Sequence, residues 1–134
     1  MVKLHSPLFS RYSLNSNADW HKTIEQETKL AWLYLIMAGL LEIGWPVGLK
    51  MSQAPESRWT GLITAVLLMG LSGWMLWLAQ RQIPIGTAYA VWTGIGAAGT
   101  FAIGIAWYGD PISFGRVLGV LLIVGGVIIL KLTH

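Results

Sequence analysis

Glu42 stands where a carboxylate is least expected. It lies in "GLLEIGWPVGLK", inside the apolar run Ala31–Leu49, and no other ionisable residue falls near the middle of such a run in this chain. An acid in hydrocarbon costs about 2.5–3.5 kcal/mol on insertion scales and is a functional-site hypothesis by default. The plainer alternative is a protonated Glu that bonds a neighbouring helix and merely holds the bundle together. A site coupled to protons or cations accounts better for an exchangeable group in such a place. A carboxyl that releases its proton when a cation arrives, and regains it when the cation leaves, is the core of a proton/cation antiporter.

The residue types around it fit a cation pocket. Trp45 is at i+3, on the same helical face as Glu42, and Ala38 and Gly39, at i−4 and i−3, are small. Tyr89 and Trp92, three residues apart in a later apolar run, offer ring faces together with O–H and N–H groups. A cation over such rings gains about 0.5–2 kcal/mol. Ser72, between Gly70 and Gly73, brings a hydroxyl that can bond and orient a carboxylate. Taken singly, each of these residues reads equally well as packing; their grouping around Glu42 gives them weight. Gly94 and Gly96 in "TGIGAAG" either let their helix bend or let it pack closely. Pro46 lacks an N–H and kinks the helix past the site, either for function or for packing.

These residues need elements to position them. Of 134 residues 54% are hydrophobic and 11% charged, against about 25% charged in a typical soluble domain, so lipid is the expected solvent. Four apolar blocks follow Lys29: roughly Ala31–Leu49, Trp59–Ala79, Gly86–Tyr108 and Phe114–Leu130. Their lengths suit helices crossing a hydrocarbon core of about 30 Å. A backbone in lipid must satisfy its own hydrogen bonds, so the expected fold is all-α, with four transmembrane helices. The links "KMSQAPESR", "QRQIP" and "GDPIS" are short, and neighbouring helices must therefore run antiparallel. Gly119 and Gly126, seven apart in the last block, read as a helix–helix seam holding a dimer together. Lys50 and Lys131 read as snorkelling end anchors. No cysteine is present, and no nucleophile–base pair, metal cluster or cofactor motif appears. An enzyme is not expected, nor a nucleic-acid partner, since the few basic residues are scattered.

Orientation is nearly undecided by the spans alone. Over residues 31–134, Arg81 and Lys131 fall on one side, and Lys50, Arg58 and Arg116 on the other. Such a balance lets a chain insert both ways, so two opposed copies can pair. Residues 1–30 form a polar N-terminal extension, expected as a flexible tail with a short helix near Trp20–Lys29. Its Lys22 and Lys29 favour an N-terminus-in orientation.

"AWLYLIMAGLLEIGWPVGLK" followed by "PIGTAYAVWTGIGAAGT" resembles the small multidrug resistance transporters, and most closely their guanidinium-exporter subtype. The resemblance covers residues 31–134. Glu42 with Trp45 three residues on, and "WTGIG" from Trp92, are the subtype's pattern. The resemblance implies a four-helix protomer in the bacterial inner membrane and an antiparallel, dual-topology homodimer. It also implies exchange of guanidinium-type cations for protons at paired Glu42 carboxylates. Ser72 and Trp45 would bond those carboxylates, Tyr89 and Trp92 would line the pocket, and Gly119 and Gly126 would form the dimer seam. Leu30 occupies the place of the family's initiator Met, which suggests a Leu-type start codon there, with residues 1–30 not made. A native species beginning at Met1 by intact mass would overturn that.

Three other readings compete. Quaternary-ammonium export by the same mechanism needs a wider pocket. A passive channel needs a continuous polar lining, for which Glu42, Ser72, Thr93 and a few hydroxyls are the available groups. A structural membrane subunit without transport gives Glu42 no reason to be ionisable.

Overall fold

A computed structural model describes residues 7–133, with side chains described from Trp20 onward. Four helices follow in chain order: α1 Pro7–Met51, α2 Arg58–Ala79, α3 Ile85–Tyr108 and α4 Phe114–Leu132. A single 3-10 turn, Pro55–Ser57, interrupts the first link. All four helices contain stretches long and apolar enough to cross a membrane, with mean hydropathy between 1.4 and 2.2. The four expected blocks therefore lie within four helices whose ends differ by a residue or two, apart from the start of α1.

That start is the main departure. The segment before Ala31, expected as a flexible tail with a short helix, is helical from Pro7 and enters the first span without a break. Neither glycine nor proline occurs from Leu8 to Ala38 to stop it. Within it, Lys29 pairs with Glu25 one turn back at 2.8 Å, and the Thr28 hydroxyl donates to the Ile24 carbonyl at 3.0 Å. Gln82, from the α2–α3 link, donates to Glu27 at 3.1 Å and ties the extension to the bundle.

The helices run up and down in sequence order. α1 packs most extensively on α2, then on α3, and α4 rests on α3. The α1–α2 contact is close because it is built from glycine. A methyl group on Gly48 would sit 2.9 Å from the Ala65 nitrogen and the Gly61 carbonyl oxygen. Such backbone approach is the usual way helices associate in lipid, where no hydrophobic drive exists. α3 ends at Gly109, whose φ of 69° is left-handed, and the next N–H, of Asp110, donates to the Gly104 carbonyl at 3.0 Å.

The buried core is Ala31, Leu35, Ala38, Leu76, Ala79, Ile83, Ala88 and Val91. On α1 it stops at Ala38. α4 buries no residue. Cations at both ends lie over aromatic rings. Arg81 is 4.1 Å from Trp77 and Lys131 is 5.5 Å from Trp32 at one end. Lys50 is 6.0 Å from Tyr108 and Arg116 is 5.5 Å from Phe101 at the other. These pairings set the charged heads at the two ends of the spans, as interface anchors require.

Candidate functional site

Ser72 is the fully buried centre of the site. Its Oγ lies 2.9 Å from the Glu42 Oε2 and 2.8 Å from the Ala38 carbonyl oxygen, and it accepts the Trp92 Nε1–H at 2.9 Å. One hydroxyl thus joins α1, α2 and α3. The glycines beside Ser72 face open space, so α2 turns its small outer face away while Ser72 points inward. Ala38 and Glu42 are one turn apart on α1, which presents carbonyl and carboxylate to the same hydroxyl.

A serine hydroxyl has one proton and two acceptor lone pairs. With Glu42 ionised, Ser72 accepts from Trp92 and donates to the carboxylate. With Glu42 protonated, the carboxyl O–H can donate to Ser72, whose own proton then turns to the Ala38 carbonyl. Both states satisfy every group, so the network holds Glu42 in place through a change of protonation. Tyr89 stacks beside it, its ring centroid 5.3 Å from that of Trp92 at 58°, and remains 56% exposed.

Trp45 stands apart from this network. Its Nε1–H is buried and has no hydrogen-bond partner among the described residues. Trp45 and Glu42 line one open hollow between α1 and α3 of about 260 Å³, together with Pro46, Thr93, Gly96, Ala97 and Thr100. An orphan buried N–H costs about 1–3 kcal/mol and needs an acceptor. A cation offers none, so this N–H suits a carboxylate, while the ring suits the cation.

The glycines sort by what they face. A methyl on Gly96 would lie 2.7 Å from the Glu42 Cγ, so Gly96 makes room for the acid itself. Gly94 admits the Val127 side chain and lets α4 approach. α3 is helical through both, and each close contact is of the packing kind. The small size of Gly39 admits a protein side chain: a methyl there would meet the Ile95 Cβ at 2.8 Å. Gly119 and Gly126 lie on α4 away from Glu42, with nothing within 4 Å of a methyl on either. The Ala38 carbonyl and Thr100 join the site without having been assigned there from sequence, and Thr93, named from sequence only as a channel-lining hydroxyl, joins it too. Helical spacing of the two threonines from Gly96 was the available signal.

Four apolar helices, three of them joined by hydrogen bonds at one half-buried carboxyl, define a small multi-pass membrane protein with an ionisable site within its spans. Residues 30–123 match the family described as Small Multidrug Resistance protein, and the chain belongs to that family. It is 48% identical over 103 residues to a protein of Yersinia pseudotuberculosis named guanidinium exporter, covering 77% of this chain and 98% of that one. It is 47% identical over 106 residues to one of the same name from Citrobacter freundii, covering 78% and 100%. A third, from Salmonella typhimurium strain LT2, is 45% identical over 104 residues, covering 78% and 98%. Membership makes this a transport protein of the bacterial inner membrane rather than an enzyme. Among the described residues no group of three His, Cys, Asp or Glu could hold a metal ion.

Proposed function

We propose that this protein exports guanidinium and related small guanidinyl cations in exchange for protons, by alternating access around paired Glu42 carboxylates in an antiparallel homodimer. The observation that carries the reading is the Glu42–Ser72–Trp92 chain of hydrogen bonds, which accommodates either protonation state of Glu42. Guanidinium is planar, weakly hydrated and rich in N–H donors that match carboxylate oxygens. The names of the relatives agree with that chemistry. A second copy would bring a second Glu42 to the open side of the α1–α3 hollow. It would also supply the acceptor that the buried Trp45 N–H lacks. Gly119 and Gly126 would form the seam between copies, and Gly94 and Gly96 the places where α3 yields as access alternates.

The test uses purified protein in liposomes under a pH gradient. Guanidinium should drive proton movement, and Glu42→Gln should abolish it. Proton movement that survives Glu42→Gln would remove the paired-carboxylate mechanism. Equal exchange of guanidinium and tetramethylammonium would favour the quaternary-ammonium reading, and flux without proton coupling would favour a passive channel.

A further inference from the structure

Pro46 lines the α1–α3 hollow and also alters the main chain one turn back. Proline carries no N–H, so the carbonyl four residues earlier in a helix loses its donor. In α1 that carbonyl is the one belonging to Glu42. The residue that offers a carboxylate thus also offers a main-chain oxygen without its α-helical partner. Glu42 and Pro46 lie one turn apart on the same stripe of α1 and both line the α1–α3 hollow, and an α-helical carbonyl is directed along that stripe toward the residue four places on.

The hollow does not end there. A second one, of about 230 Å³, shares Pro46 and Thr100 with the first and continues to Tyr108 and Asp110 at the end of the bundle. The two form one groove along α1 and α3, with Glu42 at its inner part. Thr100, one turn beyond Gly96 on α3, brings a hydroxyl to the wall opposite Pro46 where the two hollows meet.

We propose that the Glu42 carbonyl freed by Pro46 is a second acceptor of the cation site and, with the Thr100 hydroxyl, selects cations that carry N–H groups. The inference rests on the export reading above and deepens it. A guanidinium ion can direct one edge to the carboxylate, but its remaining N–H groups need acceptors once water is left behind. The freed carbonyl and the threonine supply them. A quaternary ammonium ion has no N–H and gains nothing from either oxygen. The carbonyl therefore acts on specificity, whereas the carboxylate serves any cation.

Pro46→Ala tests this directly, because alanine restores the N–H and suits a helix interior. In liposomes the KM for guanidinium should rise about 3–10-fold, with kcat retained. Inhibition of that exchange by tetramethylammonium should not weaken. Thr100→Val should act in the same direction. A second measurement needs no variant. Glu42–Ile43 is the one Glu–Ile step in the chain. Full-length protein labelled with carbonyl-13C glutamate and 15N isoleucine therefore gives a single carbonyl cross-peak in NMR. Guanidinium chloride at a concentration saturating both proteins should shift that peak in the wild type and shift it clearly less in Pro46→Ala, where the carbonyl keeps its helical partner. An unchanged KM in Pro46→Ala, or a carbonyl peak that stays still while transport saturates, overturns the inference and leaves the export reading intact. Wild-type protein without guanidinium-driven proton movement removes both.

Discussion

Ser72 illustrates how much one residue can organise. Ser72→Ala removes the hydroxyl and strands the Trp92 N–H in a buried place, which costs about 1–3 kcal/mol. Thermal unfolding in detergent should show the loss, and exchange should slow because Glu42 is no longer held. Adding Trp92→Phe should recover part of the stability without restoring transport, since the stranded donor is gone and the carboxyl remains loose. Gly96→Ala probes the opposite constraint. Its methyl would lie 2.7 Å from the Glu42 Cγ and must push the acid aside. Exchange should fall roughly tenfold or more, the order of effect that a small misplacement of a working group carries. Exchange at the wild-type rate would show that Glu42 can work from another position. The acid itself was legible in the sequence because charge is rare in hydrocarbon. Its clearance at Gly96 was not, since a glycine's effect depends on the side chain of a neighbouring helix.

At the scale of elements, the helices were legible because apolar length and short polar links leave few alternatives. Their unequal packing was not. Composition alone does not say that α1 presses on α2 through Gly48 while α4 lies against α3 without a buried residue. Gly48→Val should therefore force α1 and α2 apart and destabilise the protein by about 1–3 kcal/mol, the usual range for overpacking. Chemical unfolding followed by tryptophan fluorescence would measure it. Gly126→Leu should leave the protomer's stability nearly unchanged, because its Cβ meets nothing within 4 Å and the rest of the side chain has the open hollow beside Gly126 to enter. If α4 carries the pairing of two copies, the same change should convert dimers to monomers in single-molecule photobleaching. Persisting dimers would place the seam elsewhere. The helical extension escaped the sequence reading because polar residues carry no periodic apolar signal. Absence of glycine and proline, together with the Glu25–Lys29 pair, decides the matter locally.

For the molecule as a whole, orientation is the quantity most open to experiment. The chain has no cysteine, so Gln53→Cys places a single exposed thiol in the α1–α2 link. An impermeant maleimide applied to intact cells should label about half of the copies if insertion is dual. Labelling of all copies or none would mean that Lys22 and Lys29 fix the direction. The 45 residues of α1 give this question a visible form. At about 1.5 Å per residue the helix is about 68 Å long, more than twice the hydrocarbon thickness. Most proteins this small offer an electron microscope nothing but a featureless disc of detergent. Here a rod stands out of the disc, a built-in fiducial that can align particles without an added antibody. Two opposed copies would show a rod on each face, and two copies in the same sense would show both on one.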